Sequence, residues 1–289
     1  MPSPTSMPSW ETDRVQLTKH HGLANDFLVV LDEVNGRGLT VDGDLAIRLC
    51  DRRRGVGADG LIHGQAPPAG SDVDVVMHLF NADGSRAEMS GNGIRCLGQA
   101  LTMAREVREA VLLVETDAGV RRLQVEGSAD LRTSLVSVDM GPAGAGPLIP
   151  DEVSEHLAGF DPDLRRHRSA TVDMGNPHLV VAVADPSDID LATEGPWLEK
   201  QFADGVNVEF IAPTGPESID LRVWERGAGI TEACGTGACA AVHAAHEWGL
   251  VGERVRVNMP GGSAEVQLGE TITLIGPANH VATVELPDD

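Results

Sequence analysis

Glu232-Ala233-Cys234-Gly235-Thr236-Gly237-Ala238-Cys239 decides how the rest of the chain reads. A cysteine, a Gly-x-Gly and a run of small apolar residues predict a turn that opens a buried helix, with Cys234 at its N-terminus. Unpaired backbone N–H groups and the helix dipole favour negative charge there. A thiol so placed is expected to have a lowered pKa and to exist as thiolate near neutral pH. The plainer alternative, a cysteine that is one more small buried hydrophobe, loses ground because the stretch is repeated.

Glu88-Met89-Ser90-Gly91-Asn92-Gly93 matches it 144 residues earlier (90 to 234), half the chain of 289 residues away. Two further pairs keep the order at similar offsets. Ala58-Asp59-Gly60 matches Ala203-Asp204-Gly205, and Asn25-Asp26-Phe27-Leu28-Val29-Val30 matches Asn176-Pro177-His178-Leu179-Val180-Val181. Asn81 lies nine residues before Ser90, and Glu225 nine before Cys234. Ordered self-similarity at a fixed period signals an internal repeat. Two similar halves, each offering a reactive helix terminus, bracket a cleft of the kind that binds small ligands.

The halves read as strands around one helix each. Strands are expected at Val15–His20, Phe27–Leu31, Leu61–His63, Val73–Phe80, Val111–Glu115, Arg122–Val125 and Leu135–Asp139. In the second half they are expected at Leu179–Ala184, Val208–Ile211, Leu221–Trp224, Val255–Val257, Ala264–Leu268, Thr271–Ile275 and Val281–Leu286. The helix from Ile94 to about Val107 is apolar over much of its circumference, as buried helices are. Its counterpart from Ala238 to Ala245 has smaller side chains, which implies closely packed walls. The fold class is therefore α+β: two pseudo-symmetric domains, each a curled, mostly antiparallel sheet wrapped around a central helix. The expected division is a disordered tail over 1–14, a half-domain over 15–134 plus 277–289 on the Ser90 side, and a half-domain over 135–276 on the Cys234 side. Gly141–Pro150 is a loop near the midpoint.

Composition excludes several classes. A net charge of −22 argues against nucleic acid and anionic membranes as partners. No apolar run approaches a membrane span, and the start of the chain lacks the basic and apolar regions of a signal peptide. The cysteines Cys50, Cys96, Cys234 and Cys239 form no disulfide framework; reduced thiols and a cytoplasmic location are expected. The Arg52-Arg53-Arg54 cluster reads better as a solvated helix end than as an anion site. Gly55-Val56-Gly57-Ala58-Asp59-Gly60 has the letters of a dinucleotide fingerprint but follows a helix and precedes a strand, the reverse of the required context. His243 and His246 lack the Glu of a zincin helix, so no metal is expected.

A thiol and a hydroxyl on facing helix termini, ringed by Asn and a Glu-Arg pair, suit removal of a proton from a carbon next to a carboxylate. The base must be poised near the working pH, and the developing charge needs fixed backbone donors. An acid–base pair on opposite faces of one carbon inverts it without a cofactor.

Five blocks also carry a resemblance: His21-Gly22-Leu23-Ala24-Asn25-Asp26-Phe27, Phe80-Asn81-Ala82-Asp83-Gly84-Ser85, Ser90-Gly91-Asn92-Gly93-Ile94-Arg95-Cys96, Met174-Gly175-Asn176-Pro177-His178, and Glu225-Arg226 through Cys234 to Cys239. Together they resemble the diaminopimelate epimerase family from about Val15 to the C-terminus. The resemblance implies a homodimer and cofactor-independent interconversion of LL- and meso-diaminopimelate in lysine and cell-wall synthesis. It implies Cys234 as one of two catalytic residues. Asn25, Asn81, Asn176, Asn207, Glu225 and Arg226 would hold the substrate. Gly91-Asn92 and Gly235-Thr236 would donate backbone N–H groups to the α-carboxylate, with His178 and Glu225 supporting the thiols. The family has a second catalytic cysteine where this chain has Ser90, and a hydroxyl is a weak base unless activated. Cys96 would sit roughly 9 Å further along the helix, facing another way. The alternatives are a related pyridoxal-phosphate-independent racemase, epimerase or dehydratase with another substrate, and a binding protein that lost one base. Ala24 stands where the family usually has glycine.

Overall fold

A computed structural model describes residues 15–36, 38–87, 89–158 and 168–286. The expected tail over 1–14 and Glu88 of the repeat lie outside the described residues. The first half runs β1 (Val15–Gly22), β2 (Asn25–Leu31), α1 (Asp32–Asn35), α2 (Gly43–Cys50), β3 (Gly60–Gln65), β4 (Val75–Asn81), β5 (Arg86–Ala87), α3 (Gly91–Ala104), β6 (Glu109–Thr116), β7 (Gly119–Gly127) and β8 (Thr133–Asp139). The second runs β9 (Gly144–Ala145), α4 (Asp151–Leu157), β10 (Arg168–Asp173), β11 (Pro177–Ala182), α5 (Leu191–Lys200), β12 (Asn207–Gly215), β13 (Ser218–Glu225), β14 (Gly229–Thr231), α6 (Gly235–Glu247), β15 (Arg254–Met259), β16 (Gly262–Gln267) and β17 (Thr273–Leu286).

The pairing pattern repeats strand for strand. β1–β2 and β10–β11 are antiparallel; β2–β3 and β11–β12 are parallel, each across a connection that holds a helix (α2 or α5). β3–β4 and β12–β13 are antiparallel; β4–β6 and β13–β15 are parallel, each across a buried central helix (α3 or α6). The order ends in β7–β8 and β16–β17, and β8 and β17 then pair with each other. β17 reaches on to pair with β1 along Val15–His21, and β9 pairs with β10, so each curled sheet closes on itself. Parallel strands need such crossover connections. Both central helices are lined by one continuous core that includes Ile94, Leu97, Leu101, Ala238, Ala241 and Val242.

Register corrects one sequence match. Phe27 stands opposite Gly60 in β2–β3, and His178 opposite Asn207 in β11–β12. Gly60 is therefore equivalent to Asn207, and the letter match of Ala58-Asp59-Gly60 with Ala203-Asp204-Gly205 is two residues out of step. The other pairings hold: Gly60 opposes Asn81, and Val208 opposes Trp224, which puts Asn207 beside Glu225 and makes Asn81 and Glu225 equivalent. The two strands expected at Thr271–Ile275 and Val281–Leu286 are one continuous strand, β17. β10, α4 and α5 were not expected; α5 carries Pro196 inside the helix, which disguises it in sequence.

The β1–β2 turn explains Ala24. Leu23 and Ala24 have φ of 55° and 66°, a left-handed pair that aims Asn25 at the cleft. Gly175, the residue equivalent to Ala24, has φ of 90°. An L-residue pays about 1 kcal/mol for that conformation, whereas glycine does not. The substitution Ala24→Gly is therefore expected to stabilise the chain by about 0.5–1 kcal/mol. Its thermal midpoint should rise by about 2 °C in a calorimetric scan, and a lower midpoint would contradict the turn assignment.

Candidate active site

Each central helix starts from the residue that the repeat singled out. Ser90 caps α3 with extended backbone, and its Oγ accepts a hydrogen bond from Gly93 N at 3.0 Å. Cys234 caps α6 in the same conformation, and its Sγ accepts from Gly237 N at 3.4 Å. The two helix ends meet. A methyl on Gly235 would lie 2.9 Å from Gly91 Cα, and one on Gly91 would lie 3.1 Å from Gly235 Cα. Leu274 closes the contact from below, 2.9 Å from either methyl position. The first-turn N–H groups of Gly91, Asn92, Gly235 and Thr236 have no acceptor within their own helices. Two dipoles with their positive ends together favour an anion.

A cleft of about 880 Å³ opens above this junction. Ser90, Cys234, Asn25, Asn81, Gly91, Asn92, Asn176, Asn207, Glu225, Arg226, Gly235 and Thr236 all line it. His178 lies behind it, fully buried. The wall on the Ser90 side is braced by ions: Arg52 bonds Asp26 at 2.7 Å and Asp59 at 2.7 Å, Lys19 bonds Asp26 at 2.8 Å, and Asp59 accepts from Asn25 Nδ2 at 2.8 Å. Burial alone would raise Asp26, but the bonds from Arg52 and Lys19 hold it at about 2. Arg52 thus lines the cleft as part of an ion network, not only as a solvated helix end; Arg53 and Arg54 are exposed.

A further residue, Arg95, ties the halves together. It is fully buried on α3, donating to Gly91 O at 3.0 Å and to Asn92 Oδ1 at 2.7 Å, while Asn92 Nδ2 crosses to Ala233 O at 2.9 Å. Burial pulls its pKa down to about 10, leaving the guanidinium charged at neutral pH. The helix pattern alone gives no sign that Arg95 points inward.

Around Cys234 the structure reverses the expected thiol chemistry. Burial raises the pKa well above the ordinary value, and the nearby carboxylates of Glu225 and Glu209 add to it. Thr236 Oγ1 at 3.5 Å and the Gly237 N–H at 3.4 Å oppose the rise without cancelling it. The shift runs upward, opposite to what the helix terminus alone predicts. Glu225 is raised by burial as well, against hydrogen bonds from Thr231 and Cys234. Glu209, absent from the sequence reading, sits fully buried against His178. Its signal is faint: a lone Glu in the otherwise apolar run Val208 to Ala212. Cys96 and Cys239 are buried away from the cleft, and desolvation pushes both to about 12.

Sequence comparison gives the family. The family model for diaminopimelate epimerase matches residues 17–145 and 170–281. The chain belongs to the diaminopimelate epimerase family. It is 42% identical over 286 residues to the diaminopimelate epimerase of Pelotomaculum thermopropionicum, covering 94% of this chain and 99% of that one. It is 40% identical over 280 residues to the enzyme of Synechococcus elongatus, covering 92% and 96%. Among solved structures, a hydroxyproline epimerase from Agrobacterium vitis with bound trans-4-hydroxy-L-proline superposes with a TM-score of 0.69 at 18% identity, covering 97% of this chain and 92% of that one. A PhzF-family phenazine biosynthesis protein from Bacillus anthracis gives 0.68 at 15%, covering 96% and 100%. These two share the fold of this epimerase-family member.

Two outcomes follow for the thiols. Iodoacetamide should label Cys234 alone among the four cysteines, as read by peptide mass spectrometry of the native protein. Because the thiol pKa is raised, labelling should be slow at pH 7 and still climbing at about pH 9, beyond the usual cysteine value. A rate already flat across that range would mean a resting thiolate.

Proposed function

We propose that this chain interconverts LL- and meso-diaminopimelate by moving the α-proton between Cys234 and Ser90, without a cofactor. The observation that carries this reading is the equivalence of the two residues: each caps a central helix, and the helices abut at the floor of one cleft. An α-carboxylate on that floor would accept from the N–H groups of Gly91, Asn92, Gly235 and Thr236. Those fixed donors and dipoles stabilise the enolate-like charge that develops when the α-proton leaves. Asn25, Asn81, Asn176, Asn207, Glu225 and Arg226 offer the donors and acceptors that two amino-acid ends require. His178 and Glu225 support the Cys234 side.

The sides differ in proton chemistry. Glu225 and Glu209 lie close to Cys234, and His178 touches Glu209. The equivalent positions around Ser90 are Asn81, Phe27 and Ile62, none of which ionises. Cys234 can pass a proton to Glu225, while Ser90 has no base of its own in that shell. Inversion through Ser90 is therefore the slower half of the exchange. The same asymmetry favours a second reading, in which Cys234 exchanges the proton of one isomer with retention. The organisation belongs to the same proposal: half-domains over 15–134 plus 277–289 and over 135–276, supported by the repeated strand order, acting as a homodimer whose mass light scattering would report.

In D₂O, deuterium is expected at the α-carbon from both isomers with inversion, at unequal rates. Exchange from one isomer with retention selects the second reading, and no exchange from either ends the assignment to this substrate. Ser90→Cys should raise the slower direction about 10²-fold, the usual contribution of a positioned acid–base group. Cys234→Ala should remove exchange from both isomers.

A further inference from the structure

We propose that Glu209 is a positioning residue: it keeps His178 protonated on both ring nitrogens, and the ring in turn fixes which way the Asn176 amide faces the cleft. The inference starts from hydrogen-bond accounting. His178 Nδ1 lies 2.7 Å from Glu209 Oε1, with both side chains fully buried. A carboxylate accepts, so Nδ1 donates. His178 Nε2 lies 2.9 Å from Asn176 Oδ1, and an amide oxygen only accepts, so Nε2 donates too. The amide orientation fits its third contact. Asn176 Nδ2 points to Thr236 Oγ1 at 3.4 Å, and that hydroxyl is 3.5 Å from Cys234 Sγ. A hydroxyl that donates toward sulfur is left to accept from Asn176. A ring with two donors is an imidazolium.

Charge accounting agrees. Glu209 Oε2 is buried without a hydrogen-bond partner among the described residues. A buried carboxylate in that state needs a cation, and His178 is the basic group that touches it. Glu209 also lies under the first turn of α6: its Oε1 is 2.6 Å from where a Gly237 methyl would be. The positive end of the helix dipole favours negative charge on Glu209 there, which places the hydrogen of the 2.7 Å contact on His178 Nδ1. Glycine at 237 makes room for this arrangement. The other titratable groups facing the pair are Glu225 from β13 and Cys234 at the start of α6. The buried residues of β10, β15, β16 and β17 in that core, Val172, Val257, Val266 and Leu274 among them, are apolar. The first half has no such device, since Phe27 and Ile62 stand at the equivalent positions.

The consequence for the cleft is directional. With Nε2–H holding Oδ1, Asn176 presents its NH₂ toward Thr236 and the ligand space. A neutral ring with a bare Nε2 would let the amide turn over and offer oxygen instead.

The decisive experiment is long-range ¹H–¹⁵N correlation of the full chain labelled with ¹⁵N-histidine, ligand-free at neutral pH, with His178 assigned by its loss in His178→Gln. The expected result is an imidazolium pattern for His178 in the wild type and a neutral-ring pattern in Glu209→Gln. A neutral ring in the wild type overturns the proposal, whether or not any variant folds, and so does an imidazolium that persists in Glu209→Gln. For the positioning role, which rests on the epimerase reading above, KM for diaminopimelate should rise about tenfold or more in Glu209→Gln, the scale of a lost hydrogen bond to a charged group. An unchanged KM beside a changed ring would refute that part. The spectra need no substrate, so failure of the substrate assignment and failure of this inference are distinguishable.

Discussion

Two helix N-termini pressed end to end constrain everything else in this protein. Their partial charges have the same sign, so the contact between Gly91 and Gly235 is electrostatically unfavourable by itself. It persists because both helices are locked into one apolar core and because Arg95, Asn92 and Ala233 form a hydrogen-bonded tie across the junction. The unfavourable charge is what makes the cleft useful. It is a fixed positive field of the kind that favours an anion. No side chain beyond glycine fits at either contact, so the floor of the cleft is bare backbone.

The symmetry of the fold and the asymmetry of the chemistry come from different layers. Strand order, crossover helices and capping geometry repeat in both halves. The side chains one layer behind the caps do not. Glu225 and Glu209 bear on Cys234, with His178 against Glu209, and the equivalent positions in the first half are Asn81, Ile62 and Phe27. Burial weighs on one cap more than on the other: Cys234 is 5% exposed, whereas Ser90 is half-buried. It keeps the Cys234 thiol among carboxyl groups that raise its pKa further. It leaves Ser90 a hydroxyl held by a single backbone donor.

Much of the fold was legible before any coordinates. The pairing of Ser90 with Cys234, of Asn25 with Asn176 and of Asn81 with Glu225 could be read from spacing, because equivalent positions in a duplicated fold keep nearly constant offsets. The strands whose residues were β-branched and continuous were legible too. β10 was not, since Arg168–Asp173 has little apolar signal, and α5 was hidden by its internal proline. The Asp59–Asp204 match was misleading because the offset drifts between the halves, and only strand register exposes that drift.

By itself the sequence determined the α+β repeat, the two capping residues, the cleft-lining asparagines and the family. These are local or periodic features: a Gly-x-Gly after a cap, alternation along strands, a motif at a fixed distance. Only the tertiary structure decided the direction of the Cys234 pKa shift, the buried partnership of Glu209 with His178, the inward turn of Arg95 and the membership of Arg52 in the ion network beside Asn25. Each of these depends on desolvation and on charges brought from distant strands. Sequence neighbours cannot report the distance or the dielectric between groups that only the fold brings together.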